Sequence, residues 1–459
     1  MIAVILILFI LSLFAIFIFN KPIGLIYLLI VLLAFSQLIT DKIAPELLPY
    51  TETLINLLLL AGLVVYVVVY NKSSLLINHP YFLLSVFVCI YLLGLAFLRG
   101  LPFTTYFNYY RGEYIGSLVF LLALLMNKNF DQKTFHRFLL LMFSFQVFLG
   151  IIQYIGPEDL NQFLISRHEV QIGEKTVPVV ASTQLDAGGR LATGTLGRFN
   201  HYGNFLAMII IYFLSSILIS RSLIEYKTLY WVLILFGLYA LILSGNKASL
   251  LSIIVGIVLI LWFKNRKLFW KLAFISCCIL YFIVPFLINI SETNKEDLYS
   301  SDNPFLRMTN IFALFDLSSL DIQEINWNNM STITITLYCI PLFLDHFLFG
   351  SNLVGTNEFI NITSKLSTDA TLVIILAEFG IVGTLIILST FIYVLRLIKK
   401  KCPKEVFYVN VIIFTVLLIQ TITDPGLLSR LCNFIYFFIS AMQIKTAIIA
   451  DKHPVLLKE

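Results

Sequence analysis

The chain has 459 residues, of which 59% are apolar and only 12% are charged, and its formal net charge is +5. Soluble domains carry about twice that share of charged residues, and apolar runs long enough to cross roughly 30 Å of hydrocarbon recur from end to end. Composition therefore excludes an ordinary soluble domain and predicts a polytopic membrane protein. The small positive charge does not indicate a nucleic-acid partner.

The predicted elements are about thirteen transmembrane helices (12–14), because only helices satisfy the backbone inside lipid over such lengths. They fall at 2–19, 23–39, 53–70, 80–98, 114–126, 138–155, 202–220, 228–244, 249–264, 268–289, 370–395, 405–423 and 431–449. The spans divide the chain into an N-terminal transmembrane bundle (1–155), a first external loop (156–201), a second bundle (202–289), a second external loop (290–369), and C-terminal helices with a cytoplasmic tail (370–459).

Loop charges set the predicted orientation. Lysine and arginine concentrate in the loops at 127–137, 221–227, 264–267 and 396–405, for example in RLIKKKCPK at 396–404. Cytoplasmic loops carry this excess, so we place these loops and the C-terminus inside. An odd number of spans then puts the N-terminus outside, and both long loops face the external side.

The two external loops show elements of their own. VQIGEKTVPVV at 170–180 has two β-prone runs around Gly173 and predicts a small hairpin. The apolar stretch Ile333 to Phe349 predicts a helix that lies at the interface or dips back into the membrane. The six cysteines include no CxxC, so we predict neither a disulfide framework nor a metal site.

Arginine is unusually common on the predicted external side. The residues are Arg99, Arg111, Arg167, Arg190, Arg198, Arg307 and Arg430. External loops are normally poor in positive charge, so this excess indicates an anionic ligand. Arg99 and Arg430 lie next to span ends, and we interpret these two as snorkelling to the interface.

The densest polar stretch is RLATGTLGRFNHYGN at 190–204, which leads directly into an apolar span. Arg190 and Arg198 each present a planar fork of donors that suits phosphate oxygens. Two guanidiniums at the mouth of a membrane helix therefore predict binding of a phosphate-bearing lipid. The alternative is simple contact with lipid headgroups at the membrane surface.

This stretch resembles the O-antigen polymerase and ligase family of bacterial envelope proteins, in which an arginine, a Gly-Thr and an Asn lead into a membrane helix. The matching residues are Arg190, Gly194, Thr195 and Asn200. Three more segments resemble the family in the same order. They are LILSGNKASLLSIIVG (241–256), with Lys247 where arginine is usual, PLFLDHFLFGSNLVGT (341–356), and DATLVIILAEFGIVGTLIIL (369–388), which carries Glu378.

The resemblance implies a multi-pass glycosyltransferase of GT-C type in the bacterial inner membrane, with its active site on the periplasmic face. It implies an oligosaccharide on undecaprenyl diphosphate as donor, inversion at the anomeric carbon, and no cofactor or metal. Membrane lipid, a chain-length regulator and a flippase are the implied partners. The ligase branch usually has a His-Asn pair where this chain has Thr368-Asp369. That departure favours a repeat-unit polymerase over a ligase, and a lipid-linked sugar transporter is a further alternative.

Candidate site residues follow from the resemblance and from residue chemistry. Diphosphate binding is assigned to Arg190, Arg198, Arg307 and Lys247; other substrate contacts are assigned to Asn200, Glu378 and Arg111; the catalytic base is assigned to Asp369 or His201.

Each assignment has a simpler alternative. Asp369 also suits a helix N-cap, His201 a hydrogen-bonded core position, and Arg307 a solvated loop. Glu378 lies inside a span, where an acid is usually paired or functional. We expect Glu378 to pair with an arginine or to cap a loop backbone.

Overall fold

A computed structural model gives the fold over most of the chain. It describes residues 2–20, 22–44, 51–69, 79–100, 116–126, 132–165, 169–172, 175–178, 190–220, 227–267, 269–271, 332–351, 371–423 and 429–452. These residues are predominantly α-helical.

Helices account for most of the described residues. They are α1 (Ile2–Asn20), α2 (Pro22–Leu38), α3 (Thr51–Val69), α4 (Pro80–Leu98), α5 (Gly116–Leu125), α6 (Gln132–Ile155), α7 (Glu158–Leu164), α8 (Phe199–Ser215), α9 (Lys227–Ser244), α10 (Lys247–Lys264), α11 (Thr332–Asp345), α12 (Thr371–Lys401), α13 (Lys404–Thr423) and α14 (Arg430–Lys452). Helices α2 and α8 each continue into one π-helical turn, Ile39–Ile43 and Ser216–Ser220.

Nine helices of the described chain are long and apolar enough to cross a membrane: α2, α4, α6, α8, α9, α10, α12, α13 and α14. Shorter apolar helices lie in α1, α3 and α5. The prediction of a polytopic α-helical membrane protein is confirmed. The number thirteen stays a prediction, since most of the predicted span 268–289 lies outside the described residues.

Helix α8 is the centre of the bundle. In its most apolar stretch 83% of the residues are buried, compared with 22% in α4. It packs against α9, α10 and α13, and Tyr202, Phe205 and Phe213 are fully enclosed there. A helix that is apolar all round is expected in such a position, so the polar residues at the start of α8 are held inside protein.

Helices α4 and α12 form a second, smaller packing unit. Their contact buries six side chains that form a cluster apart from the main core: Val88, Leu92, Ala96, Ile375, Phe379 and Ile387. Much of the remaining surface of α4 is exposed and apolar, as expected for a helix that faces lipid.

The first predicted external loop, 156–201, has internal structure. It opens with α7 and continues into the strands β1 (Glu169–Ile172) and β2 (Lys175–Pro178), which pair antiparallel at the predicted hairpin position. Its last part differs from the prediction. Residues 191–197 are buried within the bundle, and α8 begins at Phe199 and not at residue 202.

Candidate anion-binding site at the start of α8

The segment from Leu191 to Gly197 is a folded, buried loop. It contains a short 3₁₀ turn, Gly194–Leu196, and both Gly194 (φ 53°) and Gly197 (φ 69°) have backbone angles that favour glycine. A Cβ at Gly194 would also lie 2.4 Å from the side-chain oxygen of Gln146. The glycines therefore permit a tight turn against the neighbouring helix.

Two glutamines of α6 hold this loop. Gln153 Oε1 accepts from the backbone N–H groups of Thr193 (2.8 Å) and Gly194 (2.9 Å), and Gln146 Oε1 accepts from that of Thr195 (3.1 Å). Both glutamines are fully buried. The sequence analysis did not identify them. Their spacing of seven residues, which places two amides on one face of an apolar helix, was the available signal.

Two further helices anchor the same loop. The Thr195 hydroxyl donates to the Ala34 carbonyl of α2 at 2.8 Å, and the Ala192 N–H donates to the Leu243 carbonyl of α9 at 3.2 Å. Because hydrogen bonds from α2, α6 and α9 converge on residues 192–195, the backbone that leads into α8 is pre-organised.

Arg190 has a different environment from the one predicted. Its guanidinium donates to the carbonyls of Tyr154 (3.1 Å) and Gly156 (3.0 Å) at the end of α6. Basic side chains commonly satisfy the last carbonyls of a helix in this way. The structure thus gives Arg190 a role in tying the loop to α6, and its contact with a diphosphate stays a prediction.

Arg198 is the N-cap residue of α8, and no side chain caps this helix terminus. Its Nε is buried and has no hydrogen-bond partner among the residues that the structure describes. Burial lowers the pKa of Arg198; Asp41 opposes this effect, and Arg430 lowers the pKa further. Arginine remains protonated in proteins, so Arg198 carries a buried positive charge that the nearby negative charge compensates only in part.

Arg430 is the second guanidinium of the cluster. It is the first residue of α14, and it acts electrostatically on both Arg198 and His201. Arg430 is half-buried, and 72% of the most apolar stretch of α14 is buried. The interpretation of Arg430 as a snorkelling residue stays a prediction.

Arg198, Arg430 and His201 define the basic cluster. The N-terminus of a helix attracts anions through its unpaired N–H groups and its dipole. Two guanidiniums act at this terminus, and the buried Nε of Arg198 has no hydrogen-bond partner among the described residues. Such an arrangement suits a phosphate-bearing anion.

The start of α10 lies beside the cluster. Asn246 caps α10 by accepting from the Ser249 N–H at 3.0 Å, and its Nδ2 donates to the Asn200 carbonyl at 3.3 Å. Lys247, the first residue of α10, is half-buried. Sequence-predicted residues Asn200, His201, Arg198 and Lys247 therefore lie on two neighbouring helix starts.

A layer of polar side chains extends from the cluster into the bundle. Ser249 donates to Asn204 Oδ1 at 2.8 Å, and Gln420 Nε2 donates to the Ser252 hydroxyl at 3.2 Å. All four residues are fully buried. These contacts join α8, α10 and α13 beneath the cluster, where polar interhelical bonds strengthen packing.

Glu378 pairs with an arginine, as expected. Its carboxylate is fully buried and accepts from Arg99 at the end of α4. The interpretation of Arg99 as a snorkelling residue was wrong, since its side chain is only 11% exposed. The assignment of Glu378 to substrate binding stays a prediction. Arg111, Arg307 and Asp369 lie outside the described residues.

Among the described residues, no three or more His, Cys, Asp and Glu side chains group as metal ligands would; the expected absence of a metal stays a prediction. No protein-family model matches the chain, and a search of curated proteins gave no match.

Proposed function

We propose that the chain is a repeat-unit polymerase of a bacterial surface polysaccharide, acting at the periplasmic face of the inner membrane. It transfers a growing glycan from undecaprenyl diphosphate onto an incoming lipid-linked repeat. The basic cluster at the start of α8 is the observation that carries this proposal. The resemblance of the segments at 190–204, 241–256, 341–356 and 369–388 supplies the reaction class. The proposed protein has about thirteen spans and a GT-C architecture.

The arrangement suits a diphosphate leaving group. Arg198 and Arg430 repel each other when no anion is present, and an anion between them compensates both charges. Preorganised donors aimed at developing negative charge commonly contribute the largest part of catalysis. A pair of guanidiniums fixed on two enclosed helices meets that requirement.

The proposed step is an inverting displacement. The acceptor hydroxyl oxygen attacks the anomeric carbon while the bond from that carbon to the diphosphate oxygen breaks. The bonding electron pair leaves with the diphosphate, whose new charge the guanidiniums neutralise. The hydroxyl proton passes to a base, for which Asp369 and His201 are the candidates; both arginines of the cluster act electrostatically on His201.

Glycan transfer to a core lipid or a protein is the first alternative. The Thr368-Asp369 pair, in place of the ligase His-Asn, favours the polymerase. Transport of lipid-linked sugars is the second alternative, and one observation favours it: α12 is interrupted at Gly380, as helices of transporters often are. Protein backbone fills this interruption, however, whereas transporter sites use such breaks to line a cavity.

Polymerisation in liposomes tests the proposal. Purified protein is reconstituted with a defined undecaprenyl-diphosphate-linked repeat on one side only, and the polymer ladder is measured. We expect Arg198→Gln and Arg430→Gln each to lower the rate by roughly 10²- to 10³-fold, by analogy with loss of an oxyanion donor. Arg396→Gln is the matched control, because Arg396 is an exposed arginine near the C-terminal end of α12.

The outcomes separate the alternatives. Polymer from the wild type, with loss in the two cluster variants alone, supports the proposal. Transfer only after addition of a core lipid indicates a ligase, and movement of the repeat across the bilayer without polymer indicates a transporter. Equal polymer from the wild type and from folded Arg198→Gln would remove the cluster from the mechanism.

A further inference from the structure

Helix α12 is broken at Gly380, and another segment of the chain fills the break. Gly380 has φ 63° and ψ −172°, a conformation that ends the first part of the helix and starts the second. Residues 346–351, which follow α11 directly, supply the missing backbone partners. The bonds run from Ile381 N to the Phe347 carbonyl (2.9 Å), from Val382 N to the Leu348 carbonyl (3.1 Å), and from Ser351 N to the Ala377 carbonyl (2.7 Å).

The fit between segment 346–351 and the break is close. A Cβ on Gly350 would lie 2.1 Å from the Glu378 carbonyl oxygen, and one on Gly380 would lie 2.4 Å from the Leu348 carbonyl oxygen. Two glycines therefore face each other across the contact. Each backbone polar group paired there would otherwise carry a desolvation cost inside a membrane protein.

Arg99 closes the contact from a third part of the chain. Its guanidinium donates to the Glu378 carboxylate, to the Glu378 carbonyl at 3.0 Å and to the Phe349 carbonyl at 3.1 Å. One side chain at the end of α4 thus bonds both α12, just before the break, and the segment that fills it. A planar guanidinium can do this because it presents several donors in one fork.

Burial of apolar side chains contributes little to holding segment 346–351 in place. Phe347, Leu348 and Phe349 are 47%, 54% and 63% exposed, so their side chains contribute little burial. The cluster between α4 and α12 is small and separate from the main core. Elements with few buried apolar contacts open at low free energy, so the polar contacts decide whether this segment stays docked.

We propose that Arg99 and Glu378 are a positioning pair that latches segment 346–351 into the break of α12. The latch joins the end of α4, the segment that follows α11 and the first part of α12 into one unit. Arg99 acts through the carbonyls and the carboxylate that it holds, and contact with a substrate is not required. The inference is independent of the proposed glycosyl transfer.

Amide hydrogen exchange in lipid nanodiscs tests the latch without any activity assay. The peptides that contain Ser351, Ile381 and Val382 report docking, and peptides from α8 report the rest of the fold. We expect Arg99→Gln to speed exchange of the docking peptides by roughly 10- to 100-fold, the loss expected from removal of charge-assisted hydrogen bonds. Exchange in α8 should remain unchanged.

The double variant Arg99→Gln/Glu378→Gln separates docking from overall stability. Arg99→Gln alone leaves a fully buried carboxylate without its cation and is expected to lower the thermal midpoint. The double variant removes that charge, so its thermal midpoint should recover towards the wild-type value while the docking peptides remain unprotected. This variant also carries the test if Arg99→Gln does not fold.

Lys133→Gln is the matched control, since Lys133 is an exposed cation at the start of α6. It should leave exchange of the docking peptides unchanged. Wild-type protection of those peptides in the folded double variant would overturn the latch, because docking would then not require Arg99.

Discussion

Replacing Gly380 by alanine is expected to expel segment 346–351 from α12. The backbone of Gly380 (φ 63°, ψ −172°) lies in a region that is essentially restricted to glycine, and a residue with a side chain there incurs strain of about 1–3 kcal/mol. The added Cβ would lie 2.4 Å from the Leu348 carbonyl oxygen and 2.6 Å from the Gly350 nitrogen. Both are backbone atoms and cannot turn aside as a flexible side chain does.

Withdrawal of the segment relieves the clash but breaks the three backbone bonds made by Ile381, Val382 and Ser351, each worth about 1 kcal/mol. Backbone strain at residue 380 and the lost bonds together give a decrease in the free energy of unfolding of roughly 4–6 kcal/mol. Denaturation of the purified protein by sodium dodecyl sulfate in mild detergent measures this decrease. Hydrogen exchange at residues 381–382 locates it.

Gly94→Ala is the control for this experiment. Gly94 lies inside α4 with no atom within 4 Å of the added Cβ, so alanine there should be neutral or stabilising by up to about 1 kcal/mol. If Gly380→Ala were as stable as Gly94→Ala, with unchanged exchange at residues 381–382, the argument from backbone geometry would be refuted.

Two further predictions concern helix α4 and the loop before α8. His79 caps α4 by accepting from the Tyr81 N–H, and burial holds the pKa of His79 below its ordinary value of 6.5. The cap's stabilisation is therefore full above pH 6.5 and is lost as pH falls through the folded-state pKa; in His79→Asn, which keeps a cap without titrating, the protection factors at the start of α4 should not change with pH. Gln153→Leu leaves two buried N–H groups unpaired, so we expect a loss of roughly 2–5 kcal/mol in the free energy of unfolding. Gln162→Leu, at a half-buried position of α7 whose hydrogen bond to Glu158 is exposed, should change it by less than about 0.5 kcal/mol; equal effects of the two would contradict the role of Gln153 in holding the loop.

The spans were predictable from the sequence because hydrocarbon thickness sets their length and excludes charge. The predicted limits 228–244 and 405–423 agree with α9 (Lys227–Ser244) and α13 (Lys404–Thr423) within one residue. The hairpin was predictable from local turn chemistry. The span limits and the hairpin depend on residues that are close in the sequence and on the surrounding lipid or water.

Side-chain roles at the helix ends were predictable only in part. Sequence position suggested that Arg190 binds a ligand and that Arg99 snorkels to the interface. The structure instead ties Arg190 to the end of α6 and pairs Arg99 with Glu378. Hydropathy shows where a helix leaves the membrane, but it does not show which neighbour covers that end. Those neighbours come from distant parts of the chain and depend on the packing of the whole bundle.

The anchoring of residues 191–197 has a consequence for how a ligand is received. Gln146 and Gln153 fix this stretch to α6, and the contacts to Ala34 and Leu243 fix it to two more helices. A loop that three helices already restrain loses little further conformational entropy when a ligand binds beside it. Under the proposed function, adaptation to glycans of different size therefore depends on segments other than residues 191–197, and variants that alter glycan preference without harming the fold should arise in those segments.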